Sequence, residues 1–149
     1  MAEKCRSSRI PGDPTAPLND EGAALYNRIL DFCATVVTVN QEELLDLVAR
    51  IMDWHNIRYV PVEDDRLHLV GLISHRALLR YLARDCRGVE DRHISVREIM
   101  HRRQGELVTV TPETLTLDAL ETMRNLRVGC LPVVKDKRLV GIVTEKNFM

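Results

Sequence analysis

The strongest constraint on the fold is an internal repeat. The segment Val37-Thr38-Val39 matches Val108-Thr109-Val110 at a separation of 71 residues, and this separation holds without a gap as far as Val62 and Val133. After one deletion, a separation of 70 residues pairs Gly71 with Gly141. Because the match keeps its register through both helix-like and strand-like patterns, it predicts two copies of one supersecondary unit.

Each copy is predicted to fold in the order β-α-β-β-α. A β-branched segment precedes an amphipathic helix, which Asn40 is expected to cap in the first copy and Thr111, followed by Pro112, in the second. Two extended segments joined by a charged turn then predict a hairpin, which Ser74 and Thr144 close, each able to cap a second helix. The helical spacing gives each first helix an apolar face, with Leu44, Val48, Ile51 and Met52 in the first copy and Leu115, Ala119, Met123 and Leu126 in the second. Burial is predicted for Leu44, Val48, Met52, Leu115 and Met123, and for Val133 of the middle strand.

Single residues add further expectations. Pro61 and Pro132 predict that the middle strand ends there or lies at a sheet edge, because proline lacks the N–H of a ladder hydrogen bond. The acidic run 63–65 is explained better by a turn than by a cation site. Trp54 falls off the main apolar face, and core packing and a role in dimerisation are both open for it.

The two copies are expected to form one α+β structure. Because a single copy of about 50 residues leaves a sheet face uncovered, we expect the copies to pack sheet to sheet about a pseudo-twofold axis. The predicted organisation is a tail or linker stub at 1–18, a first repeat with a lead-in helix at 19–84, a connector at 85–94, and a second repeat at 95–149. The last helix of the second repeat is expected to be truncated.

Composition excludes several classes of protein. With 45% hydrophobic and 29% charged residues, the 149-residue chain is expected to be globular rather than disordered. A formal net charge of −1 gives no general attraction to nucleic acid or to anionic membranes. No apolar run approaches the ~18 residues of a membrane span, and the first residues do not form a signal peptide, so we expect a cytoplasmic protein. The four cysteines and five histidines show no zinc spacing, and no metal site is predicted.

The repeated motifs resemble those of the CBS domain family, whose members occur as tandem pairs called Bateman modules. The matching motifs are V-T-V-N and V-T-V-T-P before the first helix, Y-V-P-V and L-P-V-V in the middle strand, and G-L-I-S and G-I-V-T at the strand-to-helix turn. The resemblance covers residues 34–149. It implies a regulatory module that binds an adenosine nucleotide or a related ligand, such as AMP, ADP, ATP or S-adenosylmethionine, in clefts between the repeats. Such a module controls a fused or partner enzyme, channel or transporter.

Ser74 and Thr144 are the first candidate ligand-binding residues. Each is predicted at a helix N-terminus, where unsatisfied N–H groups and the helix dipole favour an anion and the hydroxyl adds a donor. A plain N-cap role is the alternative. Three residues later, the family carries an aspartate that accepts hydrogen bonds from ribose hydroxyls, whereas this chain has Ala77 and Asn147. Because asparagine offers an acceptor and alanine does not, we expect a nucleoside to prefer the cleft that contains Thr144 and Asn147.

Three more residues complete the candidate site. Arg58 stands where family members often carry a basic residue that faces the ligand phosphate, and its guanidinium can bind an oxyanion bidentately. A solvated strand position is the alternative for Arg58. Thr38 and Thr109 border the same clefts by resemblance, and a purely structural role in the strand is the alternative for both. No catalytic residue and no resident cofactor are predicted.

Two functions from different classes remain open. The first is a regulatory module that senses a nucleotide or a nucleotide-derived metabolite. The second is a dimerisation or interaction module without nucleotide affinity, which the loss of the acceptor at Ala77 would explain. By analogy with the family we expect a homodimer, with Trp54, Leu82 and Leu126 as contacts. An enzyme is poorly supported, because no set of residues supplies a nucleophile, a base and an oxyanion donor together.

Overall fold

A computed structural model describes residues 36–85, 93–101 and 106–149. Two compact units account for these residues: a first unit that includes Val37–Leu107 and a second unit that includes Val108–Met149. The predicted tail at 1–18, the lead-in helix that follows it and most of the predicted connector lie outside the described residues. No helix in the described ranges is both long and apolar enough to cross a bilayer.

The first unit has the predicted order β-α-β-β-α. Its β-strands form a three-stranded sheet in the order β1-β2-β3, with β1 parallel and β3 antiparallel to the central β2. A short helix, α3, follows in the chain. The elements are β1 (Val39–Asn40), α1 (Leu45–Trp54), β2 (Tyr59–Glu63), β3 (Leu69–Ser74), α2 (His75–Asp85) and α3 (Val96–His101).

The second unit repeats this plan in a reduced form. Val110 makes a single parallel bridge to Val133 in place of a full first strand. The remaining elements are α4 (Thr116–Leu126), β4 (Cys130–Lys135), β5 (Arg138–Thr144) and a 3₁₀ helix (Glu145–Phe148), and β4 pairs antiparallel with β5. The mixed content of helices and small sheets confirms the predicted α+β class.

Both first helices begin later than predicted, and neither has a side-chain cap. Asn40, the last residue of β1, and Thr111 each begin a turn instead. The residues before the helices are Leu44 and Leu115, with extended backbones and no side-chain cap hydrogen bond. These two leucines are 39% and 36% exposed, so the prediction that they are buried was wrong. The next residues in the chain, Leu45 and Thr116, are buried because the helical face starts with them.

Asn40 and Thr111 stabilise the turns that precede these helices. The Glu42 N–H donates to Asn40 Oδ1 at 2.9 Å, and the Thr111 N–H donates to Thr114 Oγ1 at 3.1 Å. Pro112 therefore lies in a turn and not at the first position of a helix. Short polar side chains compete for local backbone groups in this way, which is why they mark a turn as readily as a helix start.

Pro61 is placed differently from the prediction of a strand end or a sheet edge. Pro61 lies within the central strand β2, opposite Leu72 of β3. In the second unit, the equivalent Pro132 accepts the Val110 N–H at 3.0 Å, and the Val110 carbonyl accepts from the Val134 N–H at 2.8 Å. The ladder thus uses only the carbonyl of the proline, and the missing N–H costs no hydrogen bond.

The core of the first unit forms where α1 and α3 cover the sheet. Val48 and Ile51 of α1 lie in one buried cluster with Ile94, Val96 and Ile99. The helix α3 thus packs within the first unit, although it lies within the predicted second repeat, 95–149. Met52 and Met123 are each only 7% exposed, and Val133 is fully buried, as predicted.

Three apolar side chains that the sequence offered for the core or a dimer contact are exposed in the single chain. Trp54 is 67% exposed, because it is the last residue of α1 and points off the buried face. Leu126, a member of the predicted apolar face and also an expected dimer contact, ends α4 in the same way and is 55% exposed. Leu82 on α2 is 50% exposed.

The hairpin turns contain residues with a left-handed backbone conformation. Asp136 and Lys137 connect β4 to β5 with φ of 50° and 65°, as a two-residue turn with positive φ at both positions requires. Glu63 belongs to β2 and is 4% exposed, so only residues 64 and 65 of the predicted acidic turn lie in the turn itself.

Candidate functional site

The strand-to-helix turn of the first unit begins at Ser74. The Ala77 N–H donates to Ser74 Oγ at 3.2 Å, so Ser74 caps the start of α2 as predicted. Since the hydroxyl accepts this bond, its own hydrogen is directed elsewhere and can donate a further hydrogen bond. Ala77 itself contributes only its backbone to the turn.

Arg58 lies beside this turn. In the sheet register Tyr59 stands opposite Ser74, and the His75 N–H donates to the Arg58 carbonyl at 2.9 Å. The side chain of Arg58 is exposed. The first unit therefore brings Ser74 and Arg58, two of the predicted site residues, to one corner where β2 begins and β3 ends.

His75 also lies at this corner; the sequence offers it as positive charge near a cleft mouth or as an ordinary surface residue. Its ring meets the Tyr59 ring edge to face, with centroids 6.5 Å apart and planes 87° apart. Its Nδ1 atom is buried and has no hydrogen-bond partner within the described ranges. Sequence periodicity reads His75 as a surface residue of α2. Only the pairing of β2 with β3 places it against an aromatic ring.

The corresponding corner of the second unit is held by a different set of bonds. Asn147 Oδ1 accepts from the Thr144 N–H at 2.8 Å and from the Thr144 hydroxyl at 3.0 Å. A carbonyl oxygen has two lone pairs, and both are engaged by Thr144 here. The structure thus brings Thr144 and Asn147 together, and it uses the acceptor of Asn147 to fix the start of the 3₁₀ helix.

The two corners share their backbone and differ in charge. The Glu145 N–H donates to the Gly129 carbonyl at 3.1 Å, which repeats the bond between His75 and Arg58. Glycine and glutamate in the second unit therefore stand where the first unit has arginine and histidine. An anionic group meets more positive charge at the first corner, whereas the second corner offers Asn147.

Thr38 lies apart from these corners. Its neighbour Val39 pairs with Val62, which is three residues along β2 from Tyr59, or ~10 Å at the rise of a strand. The Thr38 hydroxyl donates to Glu63 Oε2 at 3.4 Å, and both side chains are buried. This hydroxyl is thus engaged within the first unit.

Thr109 differs from Thr38 in burial. It is exposed and precedes Val110, which pairs with Val133 three residues along β4 from Cys130, the partner of Thr144. Position 134, the counterpart of Glu63, is valine, so the second unit offers no buried carboxylate to Thr109. The structure therefore brings neither threonine to the strand-to-helix turn.

In the acidic turn after β2, a carboxylate accepts hydrogen bonds from the backbone of the same turn. Asp64 Oδ1 accepts from the His68 N–H and the Arg66 N–H, each at 2.9 Å. The His68 N–H, with help from that of Arg66 and the nearby positive charges, holds the pKa of Asp64 below its ordinary value. Within the described ranges, no group of three or more histidine, cysteine or acidic side chains is placed to hold a metal ion.

Comparisons with known proteins agree with the repeat. A family model described as the CBS domain matches residues 32–84 and 96–149. Inosine-5'-monophosphate dehydrogenase of Methanocaldococcus jannaschii is 30% identical over 115 residues, which are 76% of this chain and 21% of that enzyme. The mitochondrial CBS domain-containing protein CBSX3 of Arabidopsis thaliana is 34% identical over 95 residues, 62% of this chain and 45% of that protein. The chain thus spans less than half of the length of either relative.

Solved structures show the same fold. The CBS domain of a CBS domain-containing membrane protein from Sphaerobacter thermophilus matches with a TM-score of 0.69 and 30% identity, over 85% of this chain and 88% of that one. A CBS domain pair in complex with 5′-methylthioadenosine and S-adenosyl-L-methionine matches with a TM-score of 0.71 and 24% identity, over 83% of this chain and 93% of that one. At that identity, the second likeness speaks for the fold alone.

Proposed function

This chain belongs to the CBS domain family, and we propose that its two copies form a regulatory module that binds an adenosine nucleotide or a related metabolite and controls a fused or partner protein. The observation that carries the proposal is the repeated strand-to-helix corner. In both units a hydroxyl residue, Ser74 or Thr144, ends the second hairpin strand at the start of a helix. Helix starts of this kind favour anionic groups.

Thr144 and Asn147 are proposed to receive the nucleoside. Their mutual hydrogen bond of 3.0 Å holds the hydroxyl and the amide side by side. A ribose hydroxyl that donates to Asn147 Oδ1 takes the place of the Thr144 hydroxyl, which then turns toward the phosphate of the same ligand as a donor. The amide nitrogen of Asn147 supplies a further donor, which an aspartate would lack.

Ser74 and Arg58 are proposed to receive an anionic group. The cap bond from Ala77 leaves the Ser74 hydroxyl hydrogen as a donor, and Arg58, whose side chain is exposed, precedes Tyr59, the strand partner of Ser74. A guanidinium binds a phosphate more specifically than an ammonium, because its N–H groups match two oxygens at once. Thr109, which is exposed, is included in the proposal, whereas the buried bond of Thr38 to Glu63 favours its structural role.

The regulated protein is proposed to be an enzyme or another effector outside this chain. The dehydrogenase of M. jannaschii contains far more than the matched region, which is 21% of its length. A separate or fused effector accounts for that difference in length. The regulatory module then contributes ligand binding, and the effector contributes the chemistry.

The test is a binding panel of AMP, ADP, ATP, S-adenosylmethionine and 5′-methylthioadenosine. Thermal unfolding is measured first, because a ligand at 100 times its Kd adds about 2.7 kcal/mol of stability. Calorimetric titration then gives the Kd of each compound that shifts the melting temperature. At least one member is expected to bind with saturation, and no binding by any member would reject the proposed ligand class.

A matched pair of variants separates the site from general effects. Thr144→Val removes the proposed donor, whereas Thr122→Val makes the same change on α4, where the hydroxyl donates only to the Asp118 carbonyl at 2.8 Å. Binding is expected to weaken in the first variant and to stay unchanged in the second. Equal loss in both would contradict the placement of the site at Thr144.

A second candidate function is a dimerisation module, and one observation favours it. The most exposed large apolar side chains of the first unit are Trp54 at 67%, Leu79 at 59% and Leu82 at 50%. Leu79 and Leu82 are three residues apart on α2 and so share a face. We propose a homodimer that covers them, which light scattering at high micromolar concentration would detect. A dimer without nucleotide binding would favour this function over the first.

A further inference from the structure

Backbone hydrogen bonds attach the N-terminal end of the helix α3 to the first unit. The Val96 N–H donates to the Glu43 carbonyl at 2.8 Å, and the Arg97 N–H donates to the Gln41 carbonyl at 2.9 Å. The side chains of Arg97 and Glu42 form an ion pair beside these bonds. These contacts fix the first turn of the helix and leave its last turn to be held by side chains.

Met100 helps to hold that last turn, together with the buried Ile99. Met100 is half-buried and packs against the core cluster of the first unit. Its thioether lies over Gly71 of β3, where a Cβ built on residue 71 would overlap the Met100 sulfur and come within 3.3 Å of its Cγ. The sulfur therefore fills space that is open only because residue 71 has no side chain.

Met100 differs from the other methionines that the structure describes. Met52 and Met123 are each 7% exposed and lie in the interior, whereas Met149 is 93% exposed and bears no core contact. Met100 combines partial access to solvent with a packing role. Oxidation of Met149 would therefore disturb no core contact, whereas oxidation of Met100 would change the shape of a packed side chain.

We propose that Met100 is an oxidation site that releases the last turn of α3 from the first unit. A peroxide is the oxidant: a lone pair of the thioether sulfur attacks one peroxide oxygen, the O–O bond breaks, and an S–O bond forms. With hydrogen peroxide, the other oxygen leaves as water after proton transfer. The sulfur is oxidised by two electrons to the sulfoxide and the peroxide is reduced by two.

The release follows from the size and polarity of the sulfoxide. The new oxygen is attached to the atom that lies against Gly71, and the neighbouring side chains Ile99 and Val96 are buried and apolar. A sulfoxide oxygen needs a hydrogen-bond donor or water, so burying it there is unfavourable. A helix of six residues is marginal without its packing, and its last turn should open when Met100 leaves the surface of β3.

The proposed site is tested by amide hydrogen exchange after mild treatment with hydrogen peroxide. A thiol reductant is then added, because it reverses disulfides and sulfenic acids of the cysteines but leaves methionine sulfoxide in place. Mass spectrometry is expected to find one added oxygen on Met100 and one on Met149. Exchange in residues 96–101 should accelerate about tenfold or more, while exchange in α1 stays unchanged.

Variants assign the effect to one sulfur atom. Met100→Leu keeps an apolar side chain of similar volume and should remain protected after peroxide, whereas Met149→Leu should be as sensitive as the unmodified protein. Methionine sulfoxide reductase should restore slow exchange. Met100→Gln, which places a polar group at the same position, should show fast exchange without any oxidant.

Three results would overturn the proposal. The first is oxidation of Met149 under conditions in which Met100 stays unmodified. The second is an oxidised Met100 with unchanged exchange in residues 96–101. The third is accelerated exchange in the Met100→Leu variant after peroxide, which would place the sensitive group elsewhere.

Discussion

Asn56 and Arg127 adopt the same left-handed backbone conformation, with φ of 50° and 51°, at positions 71 residues apart. Each follows the first helix of its unit, and each is followed by an N–H that donates at 3.0 Å to the carbonyl of the buried methionine, Met52 or Met123. This bond is typical of a helix that ends through a left-handed residue. The two units therefore resemble each other more in backbone geometry than in side chains.

Arg127→Asn should stabilise the second unit. Asparagine tolerates the left-handed region and arginine does not, so the free energy of unfolding should rise by about 0.5–1 kcal/mol. Chemical denaturation measures this change. Arg124→Asn, within the exposed face of α4, is the control and should lower stability slightly, because asparagine is a poorer helix former. An equal response of both variants would contradict the backbone explanation.

Truncation of the two buried methionines should be costly. Met52→Ala and Met123→Ala should each lower the free energy of unfolding by roughly 2–5 kcal/mol, because each removes buried atoms and leaves a cavity. Met149→Ala removes the same atoms from a side chain that is 93% exposed and should have little effect. A change below about 0.5 kcal/mol at both buried positions would contradict the packing of α1 and α4.

Asp64 should make stability depend on acid pH. Its pKa in the folded protein lies below the ordinary value of 3.8, chiefly because the His68 N–H donates to the carboxylate. The stabilisation is therefore complete above the unfolded pKa and is lost as pH falls through the lower folded pKa. Unfolding of the parent and of Asp64→Ala is compared from neutral to acid pH. The difference between them should shrink below pH 3.8, and a constant difference would contradict the role of the charge.

Ligand affinity should respond unequally at the two corners. Thr144→Val should weaken binding of a nucleoside phosphate by about 10- to 100-fold, because it removes a hydrogen bond to a charged group. Ser74→Val should matter less, because Ala77 leaves the first corner without a side-chain acceptor. Calorimetric titration measures both, with the melting temperature of each free variant as a control for folding. Equal losses would contradict the preference for the second corner.

The sequence was sufficient to predict the repeat, because matching residues keep a constant separation. It also predicted much of the core, because the helical spacing of Val48, Ile51 and Met52 is a local signal. The helix starts were mispredicted since Asn40 and Thr111 bond to nearby backbone groups, whereas Leu44 and Leu115 precede the helices. The packing of α3 on the first unit depends on a close approach of Met100 to Gly71. Such an approach joins residues far apart in the chain and leaves no periodic signal.

The candidate site was predictable to a similar extent. Motif spacing located Ser74 and Thr144 at the strand-to-helix turns, where the structure has them. It did not reveal that Asn147 accepts two bonds from Thr144, because an amide can face a ligand or its own turn with equal ease. Nor did it place His75 against Tyr59, since that contact follows from the strand register.

The exposed position of Trp54 gives the protein a natural optical reporter. The chain has a single tryptophan, and it lies at the end of α1 with 67% of its surface in solvent. Its fluorescence should have the red-shifted emission and ready quenching of a hydrated indole. A partner or second copy that covers this part of the first unit would shift the emission to the blue and shield it from iodide. Association at this surface can thus be followed on the unlabelled protein.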